Sequence, residues 1–203
     1  MVYKKTQKVR EKLQNKKEKI IKAAKDILAE KSYGEISIKA IAKKAGIATG
    51  TFYLYFSNKE ALIDSIVEEM YQELLAVIKS ERSKYDCVFD KLQASMEACL
   101  KLFIKEENLA KILLVKLPGI NNAFNKKLAE IEKELIKLTK KDLDDLKTQG
   151  LLPEQDTLVS ATAFVGTFRQ VLISWLKEGE PQDLQSAFKT LMKYNLRGLG
   201  KNV

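Results

Sequence analysis

Apolar residues recur every three or four positions along most of this chain, the spacing that buries one face of an α-helix. Near the N-terminus, for example, Ile20, Ala24, Ile27 and Leu28 share such a face. Alternating apolar and polar strand patterns are absent, and only three prolines and nine glycines interrupt the 203 residues. The pattern predicts an all-α protein of about nine helices.

Glycine, proline and capping residues divide the predicted helices. The first begins near Lys16 and ends at Gly34, where glycine supplies a left-handed cap. Ser57 and Glu60 have the spacing of a capping box and are expected to start the fourth helix. The other predicted helices span about 38–45, 48–56, 86–107, 108–116, 121–149, 154–178 and 181–198.

Two short predicted helices meet at Gly46, within the stretch from Ser37 to Glu60. Ser37 is a good N-cap for the first of them. Small Ala42 allows the two helices to cross closely, and Gly46 provides the sharp stop between them. This arrangement predicts a helix-turn-helix that reads DNA, and the rest of the chain is expected to position and control it.

The positive charge is concentrated in the segment that holds this motif. Residues 1–59 contain 15 Lys or Arg and 5 Asp or Glu, a net charge of +10, whereas residues 60–203 contain 21 basic and 22 acidic residues, a net charge of −1. Such asymmetry indicates an anionic partner, either nucleic acid or a membrane surface. A lysine-rich solvated tail is the alternative explanation.

Several kinds of chemistry lack the residues they require. The chain has no histidine and only two cysteines, Cys87 and Cys99, so no metal site, cofactor or enzymatic activity is expected. Residues 1–20 are basic without an apolar core, which argues against a signal peptide. Apolar runs fall far short of the roughly 18 residues that span a bilayer. The expected location is the cytoplasm, without a membrane partner.

The residues from Gly46 to Leu62 resemble the signature of the TetR (tetracycline-repressor)/AcrR-type family of bacterial regulators, and the resemblance extends from about Lys16 to Val67. Ala48 departs from the family pattern, since many members have a serine cap there. The resemblance implies a homodimer that represses transcription from a palindromic operator on double-stranded DNA. It also implies a C-terminal pocket whose small-molecule effector releases the DNA.

The resulting domain prediction is a basic flexible arm at 1–15, a three-helix DNA-binding head at 16–60, and an effector-binding and dimerisation bundle at 61–203. If the second helix of the motif lies in the major groove, its N-terminal residues reach base edges and flanking residues hold phosphates. The candidates for base contact are Thr49, Gly50 and Tyr53. Those for phosphate contact are Ser37, Lys39, Thr51, Tyr55 and Lys59. Helix-start geometry is the alternative role for Gly50, and packing within the head for the two tyrosines.

The predicted eighth helix is apolar over a wide arc, so one face needs a cover beyond its own core. A partner subunit is the simplest cover, and the homodimer is expected to form through about 154–178 and 181–198. Candidates for the effector pocket are Phe103, Ile112, Leu113, Phe124, Phe164, Phe168 and Arg169, although each apolar member also suits an ordinary core. Arg169 has three open roles: an acidic ligand group, an interface ion pair, or solvent.

The main hypothesis is therefore a ligand-responsive transcriptional repressor. A basic membrane-surface or scaffold protein without operator specificity is the alternative, and binding to liposomes without an operator footprint would favour it. An enzyme built on a helical bundle would need a cluster of titratable residues in the C-terminal core, where the sequence offers only Arg169 in isolation.

Overall fold

The computed structural model describes residues 7–120 and 122–201. These residues form nine α-helices and no strand, which confirms the all-α prediction. The helices are α1 Gln7–Glu30, α2 Ile38–Lys44, α3 Thr49–Phe52, α4 Lys59–Arg82, α5 Val88–Lys105, α6 Glu107–Lys111, α7 Asn122–Thr148, α8 Thr157–Glu178 and α9 Leu184–Gly198. A 3₁₀ turn at Tyr33–Glu35 follows α1, and a π-helical segment at Ile112–Lys116 continues α6.

Helix α1 begins at Gln7, so the predicted start near Lys16 is wrong, and the part of the arm from residue 7 to 15 is helical. Periodicity could not reveal this extension because few of the added residues are apolar. Most of them are Lys, Arg, Glu, Gln or Leu, which are good helix formers by intrinsic propensity. Residues 1–6 of the predicted arm lie outside the described residues.

The chain divides into two compact units, Met1–Met70 and Tyr71–Val203, with the boundary inside α4. The predicted head ended ten residues earlier, and the functional division into arm, head and bundle remains a prediction. The first unit has its own core, in which α1 packs on α2 and α2 on α3. Its most deeply buried side chains are Ile20, Leu28, Ile41, Phe52, Leu62, Ile63 and Ile66.

The second unit is built from the remainder of α4 and the helices α5 to α9, with α7 packed along α8. A single cluster of apolar side chains from these helices forms its core. A partly buried charged network lies beside this core. The guanidinium of Arg82, at the end of α4, donates to both carboxylate oxygens of Asp142 on α7 and, at 3.0 Å, to the Oγ of Ser95 on α5.

The last two helices begin later than predicted because aspartates cap them. The carboxylate of Asp156 accepts the N–H groups of Leu158 and Val159 at the start of α8, and Asp183 accepts the N–H of Ser186 in α9. A side-chain acceptor of this kind fixes the first helical residue. The predicted starts near residues 154 and 181 are therefore each corrected by three residues.

Of the helices that the structure describes, α8 alone is long and apolar enough, by length and composition, to cross a membrane. Core helices of globular proteins meet the same criterion. Its side chains Ala161, Phe164, Phe168 and Leu172 are buried in the core of the second unit. Packing within the bundle thus accounts for part of its hydropathy.

Candidate DNA-binding head and effector cavity

The turn between α2 and α3 has the geometry that the sequence predicts. The N–H of Ala40 donates to the Oγ of Ser37 at 3.1 Å, so Ser37 is the N-cap of α2. Gly46 has a φ of 67°, in the left-handed region that a side chain disfavours. The N–H of Ile47 then donates to the carbonyl of Ala42 at 3.0 Å and closes the turn. The chain is thereby redirected into α3 within a few residues.

Helix α3 is shorter than predicted, with four helical residues in place of nine. Ala48 occupies the N-cap position and has no side chain to accept a hydrogen bond, as its departure from the family pattern led us to expect. After Phe52 the chain continues in tight turns, in which the N–H of Tyr55 and that of Phe56 both donate to the carbonyl of Phe52. These turns keep residues 53–55 close to the helix end.

The three residues predicted to contact bases are all exposed. Thr49 and Gly50 lie at the exposed start of α3, and Tyr53 has 55% of its surface exposed although its ring meets that of Phe52 edge to face. Leu54 beside them is 79% exposed. An exposed leucine on this side suits contact with a thymine methyl group. From the sequence, only the position of Leu54 in the motif indicates this role, because a leucine ordinarily suggests a core residue.

The residues predicted to contact phosphates fall into three groups. Ser37 and Lys39 are exposed, whereas Thr51 and Tyr55 are half-buried. The ammonium of Lys59 is engaged inside the head. It donates to the carbonyls of Tyr33 and Ile36 at 3.0 and 3.2 Å and lies 3.9 Å from the centre of the Tyr33 ring.

The start of α4 differs from the predicted capping box of Ser57 and Glu60. The helix begins at Lys59, and the Oδ1 of Asn58 accepts the N–H of Ala61 at 2.7 Å. The Glu60 carboxylate instead accepts a hydrogen bond from the Tyr33 hydroxyl, and this bond lowers the pKa of Glu60. Burial, assisted by the same bond, raises the pKa of the Tyr33 hydroxyl. Asn58 outcompetes Ser57 because it stands one residue closer to the helix.

A cavity of about 240 Å³ lies within the second unit, between α5, α7, α8 and the π-helical segment. Its walls are almost entirely apolar. Four of the seven residues predicted for an effector pocket line it, namely Phe103, Leu113, Phe168 and Arg169. The other three, Ile112, Phe124 and Phe164, are buried but do not line it. Whether an effector binds here remains a prediction.

Polar groups are confined to a few positions of the cavity wall. Glu132 and Arg169 are its charged members, and they face each other at 3.9 Å with 38% and 42% of their side chains exposed. The Oδ1 of Asn125 accepts the N–H of Gly119. Cys99 also lines the wall, and burial raises the pKa of its thiol to about 12, so it is neutral and unreactive at physiological pH. Such a cavity suits a mainly apolar ligand with one polar end.

A compact head with an exposed second helix and a separate helical bundle around a cavity together define a helix-turn-helix regulator class. Residues 20–66 match the family model of bacterial regulatory proteins of the tetR family. Within the described residues, no group of three or more Cys, Asp or Glu is placed to hold a metal ion. The chain is thus similar to TetR-family transcriptional regulators, in its head through the family model and over almost its whole length through more distant relatives.

Relatives extend the similarity beyond the head. The fatty acid metabolism regulator protein of Bacillus subtilis is 25% identical over 185 residues, covering 89% of this chain and 93% of the relative. The fatty acid degradation regulator FadR of Bacillus halodurans has a similar structure, with a TM-score of 0.82, 29% identity, and coverage of 92% of this chain and 97% of that one. FadR of B. subtilis, solved in complex with stearoyl-CoA, gives a TM-score of 0.81 at 25% identity, over 89% of this chain and 98% of that one.

Proposed function

We propose that this regulator is a cytoplasmic repressor that binds a palindromic operator as a homodimer and is released from it by a small-molecule effector. The observation that carries the proposal is the surface formed by Thr49, Gly50, Tyr53 and Leu54. Thr49 and Gly50 are exposed at the start of α3, and Tyr53 and Leu54 are exposed directly after it, whereas Phe52 between them is fully buried in the head. Exposed apolar and aromatic groups on a basic unit suit a partner surface, and a DNA groove supplies one.

In this proposal α3 enters the major groove with Thr49 and Gly50 foremost, and Tyr53 and Leu54 read base edges beside them. Ser37, Lys39, Thr51 and Tyr55 bond phosphates and fix the register. The exposed Lys43 of α2 adds a cation that the sequence-based assignment left out. If six to ten phosphates are neutralised, affinity falls by roughly 10³–10⁵ between 50 and 200 mM salt.

The dimer is proposed to form through α8 and α9. The exposed side of these helices carries Val159 and Tyr194, which are 65% and 69% exposed. Ala163 and Gly166 follow Val159 at about one and two turns along α8, and their small size would let a second copy approach closely. A two-fold dimer places its two reading helices about 34–36 Å apart, or a multiple of that, which matches half-sites of an inverted repeat.

The effector is proposed to be a long-chain acyl-CoA that places its acyl chain in the cavity of the second unit. Two observations support this class. The cavity wall is apolar apart from Asn125, Glu132 and Arg169, and a relative that resembles almost the whole chain was solved with stearoyl-CoA. Arg169 suits the polar end of such a ligand because its guanidinium is partly exposed and only loosely paired with Glu132.

The proposal is tested by selecting DNA from a randomised 40-base-pair pool and measuring fluorescence anisotropy of the recovered duplex. We expect an inverted repeat that binds at least 10³-fold more tightly than unrelated DNA, and release when stearoyl-CoA is added. A Phe168→Ala protein should keep DNA binding and respond less to stearoyl-CoA. Failure to enrich any sequence would refute operator binding. Enrichment without a response to stearoyl-CoA would refute the effector class alone.

A further inference from the structure

The ammonium of Lys59 has little capacity left for a phosphate. An ammonium has three N–H donors. Two of them are directed to the carbonyls of Tyr33 and Ile36, at 3.0 and 3.2 Å, and the charge lies 3.9 Å from the centre of the Tyr33 ring. Contact with DNA would therefore require this side chain to leave several favourable contacts.

These carbonyls belong to the segment that leads into the helix-turn-helix. Tyr33 begins the 3₁₀ turn, and Ile36 follows its end. The N–H of Ile36 donates to the Tyr33 carbonyl, and the Ile36 side chain is buried in the head. The next residue, Ser37, caps α2. A cation is favourable at the carboxyl end of a turn. By bonding both carbonyls there, Lys59 links the start of α4 to the segment from which α2 begins.

The neighbouring Glu60 contacts the same turn through the side chain of Tyr33. Its carboxylate accepts the hydroxyl hydrogen of Tyr33. The turn is also braced internally, because the Glu35 carboxylate accepts both the N–H and the hydroxyl of Ser32. Lys59 and Glu60, in the first turn of α4, thus contact Tyr33 at its carbonyl, its ring and its hydroxyl. These contacts connect the start of α4 to the segment that leads into α2.

We propose that Tyr33, Lys59 and Glu60 form a clamp that positions the helix-turn-helix on α4, and that Lys59 supports DNA binding through this clamp without bonding a phosphate. The inference rests on the DNA binding proposed above. The same contacts transmit a displacement of the first residues of α4 to α2 within the head. Lys59 and Tyr33 are then positioning residues, and the exposed Lys39 is the contrasting phosphate-bonding residue.

The salt dependence of DNA binding separates the two roles. A lysine that bonds a phosphate contributes about 0.9 to the slope of log affinity against log salt, so its loss from both subunits lowers the slope by about 1.8. We expect Lys59→Met to leave the slope unchanged, to weaken binding to the selected duplex at least 10-fold, and to lower the melting temperature by roughly 3–8 °C. The matched control Lys39→Met should lower the slope and keep the melting temperature.

The clamp is refuted if Lys59→Met lowers the salt slope, whatever the change in melting temperature. It is also refuted if Lys59→Met leaves the melting temperature unchanged. Tyr33→Phe provides a second variant in case Lys59→Met does not fold. It removes the hydroxyl bonded to Glu60 and leaves every cation in place. The clamp predicts weaker binding with an unchanged slope for this protein, and unaltered binding and stability would contradict it. If the wild-type protein selects no duplex, operator binding fails, and the slopes are measured on an unrelated 30-base-pair duplex.

Discussion

Replacement of Gly50 by alanine separates the stability of the head from its contact with DNA. A Cβ built on Gly50 has no atom within 4 Å, and the residue does not have a positive φ. Nothing in the free protein therefore requires glycine at this position. If the backbone of Gly50 approaches the DNA closely, the added methyl group obstructs the protein–DNA complex and leaves the fold of the free protein intact.

The expected magnitudes follow from this geometry. Alanine at a compatible helical position stabilises a protein by about 0.4–1 kcal/mol, chiefly because the unfolded chain has less freedom to lose. For a protein of this size the melting temperature should rise by roughly 1–4 °C. On DNA, an obstructing methyl group should weaken operator binding at least 10-fold, which is about 1.4 kcal/mol per complex.

Thermal unfolding and fluorescence anisotropy on the same preparations measure both effects. Gly34→Ala is the matched control, because Gly34 also has open space around its Cβ and belongs to the 3₁₀ turn, not to α3. The control should keep full DNA affinity. A Gly50→Ala protein that binds the operator as the wild type does would refute close approach at Gly50. A lowered melting temperature would refute the assignment of Gly50 as conformationally free.

Three further predictions concern the second unit. Asp142→Ala leaves the partly buried guanidinium of Arg82 without its carboxylate and should destabilise the protein by about 3 kcal/mol in denaturant unfolding. Asp145→Ala, at an exposed site, should change stability by no more than about 0.5 kcal/mol. Tyr194→Asp should preserve the fold and produce a monomer in sedimentation, and a persistent dimer would contradict the proposed interface. The hydrogen bonds from the N–H groups of Val159 and Leu158 lower the pKa of Asp156. The contribution of this cap to stability is therefore complete above the ordinary pKa of about 3.9, and it is lost as the pH falls through the lower pKa of the folded state. The stability difference between wild type and Asp156→Ala should therefore shrink below about pH 4, and a constant difference would refute the cap.

The features that sequence alone predicted correctly are those with short-range causes. Ser37 caps α2 because a hydroxyl can reach the N–H three residues later, and Gly46 turns the chain because it tolerates a positive φ. The helical class follows from periodicity that recurs throughout the chain. Thr49 and Tyr53, which were predicted to contact bases, are exposed, and the contact itself stays a prediction.

The features that sequence missed depend on residues distant in the chain or on competition between neighbours. Lys59 looked like an exposed cation at a helix start, but its partners Tyr33 and Ile36 lie more than 20 positions earlier. Asn58 and Ser57 were both competent caps, and only the geometry of α4 decides between them. Phe164 and Phe168 share one helix and one residue type, yet only Phe168 lines the cavity. A difference of one helical turn is beyond what a repeating apolar pattern can assign.

The most direct measurement is a hydroxyl-radical footprint on the selected duplex, recorded with and without stearoyl-CoA. The account predicts two protected half-sites in inverted orientation, centred about 10–10.5 base pairs or a multiple apart, with protection lost when stearoyl-CoA is added. Protection without sequence preference, or a footprint that stearoyl-CoA leaves intact, would contradict an effector-controlled operator-binding repressor.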